Sequence, residues 1–70
     1  MRLRPDDPSY VSALVSFLRE RSCVAYVLDD QVTIEVIRPH SFGQQEIDEI
    51  AAILRTWQTK SPEARFAIMD

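Results

Sequence analysis

One glycine, one cysteine and one histidine stand in this 70-residue chain, and each scarcity closes off a class of function. The lone glycine, Gly43, cannot build the glycine-rich loop that cradles a phosphate in nucleotide-binding folds. The lone cysteine, Cys23, cannot close an intramolecular disulfide, so packing, or packing plus association, must hold the domain, and a reducing cytoplasm is the expected compartment. With His40 as the only histidine, no spacing of His, Cys and carboxylates resembles a zinc or iron site, which needs three or four convergent ligands, and no cofactor is expected. Long apolar runs are missing too: nothing approaches the ~20 residues that cross a bilayer, and the opening Met1-Arg2-Leu3-Arg4-Pro5 lacks the apolar stretch of a secretory signal. No membrane partner is expected. Nor is there an excess of positive charge, since 8 Lys and Arg against 11 Asp and Glu leave a net charge of −3. Nucleic-acid affinity comes mostly from basic charge, so a nucleic-acid partner is not expected either.

What is present belongs to an ordinary globular protein: 46% hydrophobic and 27% charged residues, without low-complexity segments, internal repeats or a linker long enough to divide the chain. Residues 1–70 read as one α+β domain at the lower edge of what a single core stabilises. Between residues 8 and 22, Val11, Leu14, Val15 and Leu18 recur at i, i+3, i+4, i+7 and mark the apolar face of a helix. Asp7 is its expected N-cap and Pro8 its first residue. Cys23 to Leu28 and Val32 to Arg38 are rich in β-branched and aromatic residues and flank Asp29-Asp30, which reads as a β-hairpin.

The face that the first strand buries depends on the parity of that connection. An even loop, Asp29-Asp30 alone, puts Cys23, Ala25 and Val27 inside with Val32, Ile34 and Val36; a loop of three, through Gln31, turns Val24, Tyr26 and Leu28 inward instead. The even loop is adopted here. Pro39 ends the second strand, and Ser41-Phe42-Gly43-Gln44 matches the capping-box pattern for a second helix reaching Lys60, with Ile47, Ile50, Ala51, Leu54 and Trp57 on its buried stripe. Ala64 to Met69 reads as a last strand. The resulting order is α-β-β-α-β, and a right-handed crossover predicts a three-stranded antiparallel sheet of order 2-1-3 with both helices on one face, a two-layer sandwich.

Candidates for chemistry are few. His40 precedes the second helix and is the one weak candidate for a ligand site. Cys23 reads as a small buried residue rather than a nucleophile. Glu46, Asp48 and Glu49 are explained by the positive end of a helix, and Asp29 and Asp30 by a turn. With both helices on one side, the other presents Val24, Tyr26, Leu28, Ile37, Ala67 and Met69 around Thr33 and Glu35. An apolar face of that kind marks an interaction surface, and a two-fold pairing lets it cover itself. The expected function is therefore a non-enzymatic accessory or protein-interaction module that forms a homodimer, or binds another protein, through its open sheet face. The alternative is a small metabolite-binding or enzymatic domain with a shallow site near His40 and the start of the second helix.

Overall fold

The computed structural model describes residues 1–69. Its elements are β1 (Arg2–Pro5), a 3₁₀ turn (Pro8–Tyr10) running into α1 (Val11–Glu20), β2 (Val24–Val27), β3 (Ile34–Ile37), α2 (Gly43–Lys60) and β4 (Phe66–Ile68). They form an α+β chain with one antiparallel sheet of four strands, ordered β2-β3-β1-β4. The expected three strands and the order 2-1-3 are both overturned. The correction comes from β1, where Leu3 and Pro5 are buried and Arg2 and Arg4 exposed. Four residues with one aliphatic side chain and a proline carry too little apolar signal to announce a strand, although the period-2 alternation is there. Inserted between β3 and β4, this strand turns α-β-β-α-β into β-α-β-β-α-β, the connectivity of the split βαβ, or ferredoxin-like, class.

Pro5 is tolerated near the centre of the sheet for a geometrical reason. Val36 N–H donates to Met1 O, so by antiparallel alternation the amides at positions 1, 3 and 5 point towards β3. At Pro5 that strand has already left for the hairpin loop, and no ladder bond is lost.

The hairpin connection is even, as the inward placement of Cys23 and Ala25 requires, but it holds four residues rather than two. Leu28 N–H donates to Thr33 O at 2.8 Å and Gln31 N–H to Leu28 O at 3.0 Å. Gln31 takes the left-handed conformation, φ 68°. Asp30 Oδ1 accepts from the amides of Val32 and Thr33 at 3.0 and 2.8 Å. The aspartate thus supplies the turn with acceptors that no glycine is present to make unnecessary. Val32 consequently lies in the loop, and Val27, expected inside, is 38% exposed.

Asp7 caps the 3₁₀ turn ahead of α1, its Oδ1 accepting from Ser9 N–H at 2.9 Å with Pro8 following, whereas α1 itself begins three residues later than expected, at Val11, with Tyr10 as N-cap and no side-chain bond. It ends in a Schellman motif: Cys23 N–H reaches Leu18 O and Ser22 N–H reaches Arg19 O, both at 3.1 Å, with Ser22 in the left-handed region at φ 66°. The capping box expected at α2 is not formed. Phe42 is the N-cap, without a side-chain bond, and Ser41 Oγ donates instead to Glu49 Oε1 at 2.7 Å. Gly43 enters the helix at φ 60°, a conformation that costs glycine little.

One hydrophobic cluster joins the inward stripe of α1 (Val11, Leu14, Val15, Leu18), that of α2 (Ile50, Leu54, Trp57), alternate sheet residues (Leu3, Ala25, Ile34, Val36), Cys23 and Ala64. Trp57 belongs to this core, edge-on to Tyr10 with ring centroids 6.0 Å apart and tilted against Phe66 at 6.1 Å. The ring ties α2 to the entry of α1 and to β4.

Candidate functional site

Strand register decides what the side of the sheet away from the core displays. Val24 lies opposite Ile37, and Tyr26 opposite Glu35, which is itself opposite Arg2. Met69 N–H donates to Arg2 O and completes that row. The next row runs Leu28, Thr33, Arg4, Ala67, through the Leu28–Thr33 backbone bond, the 3.4 Å contact of Arg4 Nη2 with Thr33 Oγ1 and the Arg4–Ala67 pairing. All six sequence candidates, Val24, Tyr26, Leu28, Ile37, Ala67 and Met69, therefore occupy this side. They are not one contiguous patch, because β1 sets Arg2 and Arg4 between the β2–β3 group and the β4 group.

The central stripe is charged and already paired. Glu35 accepts from Arg2 Nε at 3.0 Å and from the amino group of Met1 at 3.3 Å. Arg2, and then the amino group, hold its carboxyl below the ordinary glutamate value, against the opposing effect of burial. Asp30 accepts from the Thr33 hydroxyl and faces Arg4 at 3.4 Å. Its carboxyl is lowered to about 2, first by the Thr33 hydroxyl, then by the amides of Thr33 and Val32. Leu28 and Met69 join Arg2, Arg4, Asp30 and Thr33 around a hollow of about 320 Å³. Both guanidiniums there are engaged, and no thiol, imidazole or unpaired carboxylate lines the space, so the hollow has shape and polarity but no group equipped for covalent or acid–base work.

On the flanks the surface is apolar. Val24, Tyr26, Ile37 and Met69 are 42 to 47% exposed, enough to offer anchors to a partner.

His40 stands apart from this surface. It is exposed, in a turn at φ 67°, and lines none of the four surface hollows described. Beside it, Arg38 organises a structural knot. Its Nε donates to Glu49 Oε1 at 3.1 Å, its guanidinium also reaches Arg21 O, and its backbone N–H donates to Glu46 Oε2 at 2.9 Å. Glu49 is held below the ordinary glutamate value by Gln45 first, then Ser41 and Arg38. Two of the three carboxylates at the start of α2 are thus engaged in fastening β3 to the helix. Cys23 is buried, with its Sγ 3.9 Å from Arg38 Nη1. Among the described residues no group of His, Cys, Asp and Glu is arranged to hold a metal ion, and no helix is long and apolar enough to cross a membrane.

Sequence reasoning missed Arg2 and Arg4 as members of this face, because it expected no strand before Cys23. Their alternation with Leu3 and Pro5 was the available signal. Comparison of the chain with protein-family models, with curated proteins and with solved structures finds no match.

Proposed function

We propose that this chain is a non-enzymatic protein-interaction module that self-associates through the sheet face its two helices leave open, in a two-layer arrangement with both helices on the other face. The observation that carries the reading is the set of large apolar side chains turned outward on either side of the charged stripe, Val24, Tyr26 and Ile37 on one flank and Met69 on the other, on a sheet whose central charges are already paired within the chain. A charged group that brings its own counter-ion enters an interface at far lower cost than an isolated one. The neutralised stripe therefore does not bar association, while the apolar flanks favour it. A two-fold axis over Arg2 and Glu35 gives each copy's apolar flank a counterpart on the other. The face offers one aromatic ring, Tyr26, where sheets that bind single-stranded RNA stack bases on several. A protein partner fits it better than a nucleic acid.

Sedimentation equilibrium at high micromolar concentration tests the proposal. The expected mass is twice the monomer's 8.1 kDa. Tyr26→Lys sits opposite Glu35 and is compatible with the folded sheet, but it carries an added charge into the contact and is expected to return the protein to monomer. A monomer at every concentration overturns the proposal, as does a Tyr26→Lys variant that remains fully dimeric.

A further inference from the structure

The sheet has two edges, and the chain treats them differently. On β2 the Leu28–Thr33 bond fixes the alternation, so the polar groups of Ala25 and Val27 point away from the sheet. Arg19 Nε occupies one of them, donating to Ala25 O at 3.0 Å, and blunts that edge. On β4 the bonds Asp6 N–H to Arg65 O and Met69 N–H to Arg2 O direct Phe66 and Ile68 N–H and C=O outward. No side chain is recorded across them among the described residues.

Alongside this bare edge runs an apolar hollow of about 250 Å³ lined by Ala51, Leu54, Arg55, Gln58, Phe66 and Ile68. Arg55 and Gln58 are shared with an adjoining hollow near the start of β4, which Arg65 also lines. Neither Arg55 nor Arg65 has an ion-pair partner among the described residues.

We propose that β4 is a docking edge for an extended segment of another protein that adds to the sheet as a fifth, antiparallel strand and ends in acidic residues. Main-chain pairing with Phe66 and Ile68 supplies the attachment, and alternate aliphatic side chains enter the hollow beside Leu54 and Ile68. An antiparallel strand brings its C-terminal end to the start of β4, where Arg55 and Arg65 meet its carboxylates. With a net charge of −3 the chain gives no long-range attraction to an acidic segment, so the selectivity is local to these two guanidiniums. A second copy of the chain is the less fitting occupant. An isologous edge-to-edge contact, added to the pairing proposed for the open face, would generate an unclosed string of copies.

The probe is acetyl-Val-Thr-Val-Thr-Val-Glu-Glu with a free carboxylate, titrated into the full ¹⁵N-labelled chain and compared with the same peptide ending in Lys-Lys-amide. The proposal expects amide shifts at Phe66, Ala67 and Ile68, slowed hydrogen exchange at Phe66 and Ile68, and binding of the lysine peptide weaker by about tenfold, the effect of losing two exposed ion pairs. Arg55→Glu combined with Arg65→Glu should reverse the preference. Ile68→Pro removes an outward-pointing N–H together with the aliphatic side chain beside the hollow, costs no bond to β1, and should abolish binding with the other amide shifts retained; should that variant not fold, the charge-reversed pair decides. No shift at β4 with either peptide, equal affinity for both, or unchanged binding by Ile68→Pro would overturn the proposal. So would concentration-dependent protection of Phe66 and Ile68 without peptide, which would assign the edge to a second copy.

Discussion

Replacing Trp57 by alanine removes a ring that joins α2 to Tyr10 at the entry of α1 and to Phe66 in β4. The ring is 5% exposed, meets Tyr10 edge-on with an interplanar angle of 86° and leans on Phe66 at 56°. Truncation of a buried tryptophan costs about 3–5 kcal/mol, made up of lost transfer energy and the cavity left behind. A chain of this length has roughly 3.5–10 kcal/mol in total at the usual stability per residue. Trp57→Ala should therefore lower the melting temperature by at least ~12 °C, since 1 kcal/mol shifts a small domain by about 4–8 °C, and at the lower end of the range it leaves little folded protein. Trp57→Phe keeps a ring between Tyr10 and Phe66 and should lose only a fraction of this. The assay is thermal unfolding followed by far-ultraviolet circular dichroism, because the variants lack the only tryptophan fluorophore. A melting temperature unchanged in Trp57→Ala, or equal losses in the two variants, would refute the reasoning.

Further outcomes follow from single residues. Ser22→Gly relieves a left-handed serine at the end of α1 and should stabilise by about 1 kcal/mol, whereas Gly43→Ala imposes the same strain at the start of α2 and should destabilise by a similar amount; urea midpoints of the two variants check both signs. Cys23 should react slowly with a thiol reagent in the native protein and rapidly in denaturant, and fast native labelling would contradict its burial. The Asp30 carboxyl is lowered in the folded chain from 3.8 to about 2, so the stability it contributes is fully present above the unfolded value and is lost as pH falls through the folded one. Acid unfolding of the unaltered protein should thus steepen between about pH 4 and pH 2. Asp30→Asn should lose that component, and an unaltered acid profile in this variant would dismiss the Thr33–Asp30 interaction as a source of stability.

The two helices and the hairpin were legible because their signals are redundant. Val11, Leu14, Val15 and Leu18 repeat at helical spacing, and Ile34 and Val36 alternate with Glu35. Parity alone correctly placed Cys23 and Ala25 inside. β1 was illegible because its apolar content is one leucine and one proline, and because its place beside β3 and β4 depends on pairing partners more than 30 residues away in sequence. That one omission propagated into the strand order and into the picture of the open face, which seemed unbroken only while Arg2 and Arg4 were absent from it. The caps show a different limit. Ser41 has the right type and position for an N-cap, yet the carboxylate of Glu49, eight residues on, takes its hydroxyl, a competition that no local pattern records.

Self-association through the open sheet face is most directly tested by isotope-filtered nuclear Overhauser spectroscopy on a mixture of labelled and unlabelled chains. Intermolecular contacts from the Tyr26 ring and the methyl groups of Val24, Ile37 and Met69 are the predicted result. A spectrum without intermolecular contacts at high micromolar concentration, or one whose contacts arise only from α1 and α2, would contradict the account.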